Sequence, residues 1–136
     1  MHVELTAGER EVVRWARVGR LATIGEDNGP HVVPVSPVLD GDLLLFATDE
    51  ESVKVRNLRR NPHVALVFDD YLEDWGRLRT IMVRGPARVL DHGPEWVRVR
   101  DLLYRKFAQY EELSPIEPGR SVIVEVEIEG VSESGA

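Results

Sequence analysis

Residues 19–48 read GRLATIGEDNGPHVVPVSPVLDGDLLLFAT, and this stretch decides the fold. Residues 21–24 and 31–35 are strand-like runs. They are joined by Glu26-Asp27-Asn28-Gly29, residue types that tolerate positive backbone angles and therefore mark a hairpin. Asp40-Gly41-Asp42 then separates Val38-Leu39 from residues 43–48, an apolar run dense enough for a strand covered on both faces. Strands that follow one another through tight turns predict an antiparallel sheet, because a parallel partner needs a long crossover.

Working outward, Thr6 and Glu9 have the spacing of a capping box. Val12, Trp15 and Ala16 share one stripe of a short helix over residues 7–17. On the other side, residues 51–60 switch to a helical pattern that Ser52 can cap and Asn61-Pro62 stops, and residues 63–68 form the next strand. Residues 69–76 are a polar loop carrying Tyr71 and Trp75. Residues 78–90 read as a long strand bent at Gly85-Pro86. Trp96, Val99, Leu103, Phe107 and Tyr110 recur at helical spacing over residues 94–110. In residues 121–128 Val122, Val124, Val126 and Ile128 alternate with acids, so Glu125, Glu127 and Glu129 read as a solvated face. The sum is one domain over residues 1–136, mainly β with flanking helices. It is best closed as a six-stranded antiparallel barrel, since closure removes exposed sheet edges.

Composition narrows the partners. The 136 residues include no cysteine, which excludes disulfides, thiolate zinc sites and cysteine nucleophiles. With 24 acidic against 17 basic residues the net charge is -7, a poor balance for holding nucleic acid, whose affinity comes largely from phosphate neutralisation. No apolar run reaches the roughly 20 residues that span a bilayer, and residues 1–4 do not read as a leader. The expectation is a cytoplasmic protein with a small-molecule partner, and neither nucleic acid nor membrane.

Against that acidic background Lys54, Arg56, Arg59 and Arg60 stand close together. Thr48 ends a strand and Ser52 opens a helix, where free N–H groups and the positive end of the dipole favour an anion. Two readings stand for this cluster: a phosphate cradle of Thr48, Ser52 and Lys54, or basic residues that answer the dipole at the helix C-terminus, which suits Arg59 and Arg60. His2, His31, His63 and His92 have no metal-site spacing and read as surface or strand-edge residues. Trp75 either covers a planar ligand or interface, or folds back on the core.

Taken in order, Gly19-Arg20-Leu21-Ala22-Thr23-Ile24, Pro30-His31-Val32-Val33-Pro34-Val35, residues 43–48 and residues 52–66 resemble the pyridoxamine 5'-phosphate oxidase-like split barrel. Tyr71-Leu72-Glu73-Asp74-Trp75-Gly76-Arg77-Leu78, Gly85-Pro86-Ala87-Arg88-Val89 and Lys106-Phe107-Ala108-Gln109-Tyr110 resemble its branch of coenzyme F420-dependent oxidoreductases.

The resemblance implies a homodimeric split barrel with FMN or coenzyme F420 in a groove between protomers, passing hydride to or from a small conjugated substrate. It places Thr48, Ser52 and Lys54 at the cofactor phosphate and Pro34, Val35 and Ser36 along the tricyclic ring. Thr80 would face the ring, and Trp75 would close the pocket from the partner chain. No catalytic acid or base is nominated. Val53 stands where the family often has arginine, and Ser134 where relatives often carry tryptophan. The arginine- and histidine-bearing C-terminal segment of true pyridoxamine phosphate oxidases has no match, so that activity is not expected. The other reading the residues allow is a carrier of flavin, deazaflavin or haem without turnover, in which His31 or His63 would supply an axial ligand.

Overall fold

The computed structural model describes residues 3–135; His2 lies outside them. The elements run α1 (Ala7–Trp15), β1 (Gly19–Ile24), β2 (Pro30–Val35), β3 (Val38–Asp40), β4 (Leu43–Asp49), α2 (Val53–Arg60), β5 (His63–Asp70), β6 (Arg79–Leu90), α3 (Pro94–Lys106), α4 (Ala108–Leu113), β7 (Ser121–Glu127) and β8 (Gly130–Gly135), with a short 3-10 turn at Trp75–Arg77 before β6. Strand order is β2-β1-β5-β6-β7-β4-β3, with β8 also on β6, and the pairings are antiparallel. The hairpin turn between β1 and β2 works as its residues predict: Asn28 takes φ 64°, and the Gly25 N–H donates to the Gly29 carbonyl at 2.7 Å.

β6 organises the sheet. Its first arm pairs β5 from His63↔Pro86 to Asp70↔Arg79 and β8 from Arg84↔Gly130 to Arg79↔Gly135. Beyond the bend, Ala87 to Leu90 pair β7 instead. At the bend a Cβ on Gly85 would lie 1.7 Å from the Glu127 carbonyl oxygen, so only glycine lets the two backbones cross there. Ala87 N–H then donates to the Pro62 carbonyl at 2.8 Å.

The pleat divides the apolar residues between two cores. Leu21, Leu44, Phe46, Leu66, Phe68, Ile81, Val83, Val124 and Val126 fill the barrel, joined by Val13 from α1 and by Val55 and Leu58 from α2. Leu45 and Ile123 point the other way and meet Trp96, Val99 and Leu103 of α3. β4 is therefore buried on both faces, as its apolar density predicts. Among the described residues no helix is long and apolar enough to cross a membrane.

Four expectations are corrected. The sheet has eight strands and not six: β3 is only three residues long and β8 is almost wholly polar, so neither carries the hydrophobic pattern of a strand. β8 carries one apolar residue, Val131, and owes its form to the ladder on β6 and the Arg79–Glu133 contact at 3.0 Å. The helix expected over residues 94–110 is two, because Phe107 is extended (φ −129°, ψ 92°) and its ring is buried. Glu125 is not on a solvated face: it is buried and accepts from Arg88 Nε at 2.9 Å and Nη2 at 3.2 Å. The helices over residues 7–17 and 51–60 are shorter, spanning Ala7–Trp15 and Val53–Arg60.

Candidate functional site

β4 delivers Thr48 and Asp49 to one end of the barrel, and the chain turns at once into α2. The Asp49 carboxylate accepts from the Glu51 N–H at 2.8 Å, and its carbonyl accepts from the Ser52 N–H at 3.1 Å, which fixes the entry to the helix. Ser52 is the N-cap residue, yet its side chain makes no capping hydrogen bond; its Oγ lies 3.4 Å from Thr48 Oγ1 instead. Two hydroxyls thus face each other beside first-turn amides that no side chain occupies. The first turn holds no acid. It holds Lys54, half-buried, whose ammonium is pushed below its ordinary range by burial and held up in part by Asp49. A cation at the positive end of a helix is unfavourable unless an anion joins it. At the other end of α2, Arg59 lies 3.9 Å from Glu50 and Arg60 3.9 Å from Glu26, so these two serve the dipole and neighbouring acids.

A side chain that sequence reasoning did not nominate joins this notch to the end of β2. Tyr110 on α4 donates from Oη to the Ser36 carbonyl at 2.8 Å, and the backbone of Ala47, next to Thr48, hydrogen-bonds the same hydroxyl. Burial pushes the Tyr110 phenol up to about 12, with the Ala47 bond acting in the opposite sense, so it is neutral at ordinary pH. Lys106 Nζ donates to the Pro37 carbonyl at 2.9 Å. The stretch 35–37 is therefore held against β4 by α3 and α4. Tyr110 was visible as the last member of a helical stripe, and nothing in that pattern distinguishes a core residue from a clamp.

The structure brings Thr48, Ser52 and Lys54 together at the start of α2, ties Ser36 to the neighbouring end of β4 through Tyr110, buries Val35 in the barrel core, and leaves three nominated residues elsewhere. Pro34 is exposed on the outer face of the sheet, opposite Arg20. Thr80 lies between Asp69 and Ser134 on the first arm of β6, before the Gly85 bend. Trp75 is 70% exposed, and its Nε1 donates to the Tyr71 hydroxyl at 3.2 Å, so it does not fold back on the core. His63 is exposed. His31 is half-buried with an unpartnered Nδ1. Among the described residues no group of three His, Asp or Glu could hold a metal ion.

An antiparallel barrel bent at one long strand, with helices packed on it, is the architecture of a split-barrel protein. The family model described as Pyridoxamine 5'-phosphate oxidase matches residues 5–135, and the chain belongs to that family. A 5a,11a-dehydrotetracycline/5a,11a-dehydrooxytetracycline reductase of Streptomyces rimosus is 37% identical over 93 residues, which cover 65% of this chain and 66% of the relative. Among solved structures, a conserved hypothetical protein of Mycobacterium tuberculosis superposes with a TM-score of 0.83 at 24% identity, covering 98% of this chain and 86% of that one. An F420 reductase superposes with a TM-score of 0.73 at 23% identity, covering 94% and 98%. Those two likenesses concern the fold alone.

Proposed function

We propose that the chain is an oxidoreductase that binds coenzyme F420 or FMN at a groove between two copies of itself and passes hydride to or from a small conjugated substrate. The observation that carries this reading is the α2 notch: Thr48 and Ser52 hydroxyls 3.4 Å apart, uncapped first-turn amides and a half-buried Lys54. These donors fit the phosphate that both cofactors carry, and Ser36, clamped beside them by Tyr110, fits the edge of a tricyclic ring. The cofactor, once bound, supplies the hydride chemistry. The chain contributes anchoring, orientation and exclusion of water. That a relative 37% identical over 93 residues is named as a reductase supports the class.

The second copy accounts for the nominated residues that stand apart. Pro34 and Val32, the latter 61% exposed, share the outer sheet face with Ala22, Val67 and Met82, an apolar strip across β2, β1, β5 and β6. Pairing of this face between copies would bury it and bring Thr80 and Trp75 of one chain toward the notch of the other. In size-exclusion chromatography with light scattering, twice the chain mass is expected.

The decisive measurement is fluorescence titration of the purified protein with FMN and with coenzyme F420. Saturable binding of one of them is expected, and the tighter of the two identifies the cofactor. No binding of either at about 100 µM, an affinity of only about 5.5 kcal/mol, overturns the reading.

A further inference from the structure

Arg17 and Lys106 bring two positive charges to one aromatic ring. The Arg17 guanidinium carbon lies 4.3 Å from the centroid of Phe107, and Lys106 Nζ lies 5.1 Å from it. Their polar contacts are all to neutral oxygens: Arg17 donates to the Lys106 carbonyl at 2.8 Å and to Gln109 Oε1 at 3.5 Å, and Lys106 to the Pro37 carbonyl. Among the described residues neither has a carboxylate partner. In a chain of net charge -7 with acids to spare, two adjacent cations left without one mark a place for an anion from outside.

Beside them opens a cavity of about 360 Å³ lined by Arg17, Phe107, Gln109, Tyr110, Leu113 and Ser114. Its volume falls in the range of small-ligand pockets. Its chemistry is divided: the Phe107 and Tyr110 rings, edge to face with centroids 5.8 Å apart, and a Leu113 side chain 81% exposed form an apolar wall, while the Arg17 fork, the Gln109 amide and the Ser114 hydroxyl are polar. Ser36 closes the side toward the α2 notch, since it lines the same cavity and its carbonyl holds Tyr110.

We infer that this cavity is the substrate site, and that it selects a planar conjugated molecule bearing an anionic oxygen, a carboxylate or enolate, which Arg17 receives. The planar guanidinium matches a planar pair of oxygens, and the apolar wall receives the conjugated body. The inference rests on the cofactor reading only for placing the reacting ring beside Ser36. The Lys106 ammonium is consistent with a missing counter-charge: burial first, then Arg17, push it down to about 8.

The test uses 2-naphthoate and 2-naphthamide, which share a body and differ in charge, titrated by calorimetry into the wild-type protein, Arg17→Gln and Lys54→Ala. Wild type is expected to bind the naphthoate at least about tenfold more tightly than the amide, a charged hydrogen bond's worth of preference. Arg17→Gln is expected to lose that preference while holding the amide unchanged, which also shows that the variant is folded. Lys54→Ala is expected to keep it. Equal affinities in wild type, no binding of either probe, or a preference that survives Arg17→Gln overturns the inference. Because the probes need no cofactor, loss of FMN and coenzyme F420 binding with naphthoate binding intact would fell the cofactor reading alone, and the converse result this inference alone.

Discussion

Two helices of this chain begin with a hydroxyl residue, and only one is finished. At α1 the capping box is complete: Glu9 N–H donates to Thr6 Oγ1 at 3.2 Å, Thr6 N–H donates to Glu9 Oε1 at 2.8 Å, and the acid itself answers the dipole. At α2 the hydroxyl of Ser52 turns to Thr48, no acid stands in the first turn, and Lys54 adds a charge of the wrong sign for that end. A helix end that is internally satisfied contributes stability. One left open, at some cost, is where an anion from outside has the most to gain. On the proposed function, the contrast separates a structural cap from a binding one by their partners, since the cap residues are of one chemical kind.

The largest test of that contrast is Lys54→Ala. Cofactor affinity is expected to fall by about 1.5–3 kcal/mol, the range for hydrogen bonds to charged groups, with the folded state unharmed. Titration of the better cofactor alongside thermal unfolding measures both. An affinity unchanged within twofold would put α2 in the same category as α1. A smaller and crossed effect is expected from the hydroxyls. Thr6→Ala should cost about 1 kcal/mol of stability and leave cofactor binding alone, whereas Ser52→Ala should change stability by less than about 0.5 kcal/mol while weakening the cofactor. Urea unfolding of the apo-proteins reads the first quantity. If Ser52→Ala destabilises as much as Thr6→Ala, its hydroxyl is a cap after all.

The two ends differ as much in how legible they are. Thr6 and Glu9 announce their partnership by spacing alone, because both partners sit on one helical turn. Ser52 has the same look. Its failure to cap depends on Thr48, delivered by the end of β4, and strand ends are placed by pairing across the sheet. The barrel itself was readable from its turns and from the dense run of β4. β8 was not, since its polar residues form a strand only where β6 offers an edge. The bend at Gly85-Pro86 could be seen, but its cause, the Glu127 backbone crossing above Gly85, could not. The apolar stripe runs through Phe107 without a break, so the end of α3 there, which sets Tyr110 against Ser36, left no mark in the periodicity. Of the residues singled out in the sequence, Thr48, Ser52 and Lys54 lie close together because they are close in sequence at the turn from β4 into α2. Pro34, Thr80 and Trp75 stand on other parts of the sheet, and only the pairing of two copies proposed above would bring them to that turn.

The smallest effect is electrostatic and lies in the apo-protein. Lys54 is held below its ordinary value by burial, so between its folded value and 10.5 the folded chain carries fewer protons than the unfolded one. Stability contributed by this group therefore rises with pH across that window, the reverse of a lysine that has found a partner. Replacement by methionine removes the charge and keeps the stem. Lys54→Met should be more stable than wild type at pH 7 by roughly a few tenths of a kcal/mol, given solvent screening of a half-exposed ammonium, and the advantage should shrink toward pH 10.5. Lys106 and Tyr110 titrate in the same alkaline range but are present in both proteins, so the difference between two urea curves at each pH isolates Lys54. A saturating phosphorylated cofactor should reverse the order at pH 7, because it gives the ammonium its missing partner. If the methionine variant remains the more stable with cofactor bound, Lys54 does not touch the phosphate, and the open end of α2 is completed by something other than the anion proposed for it.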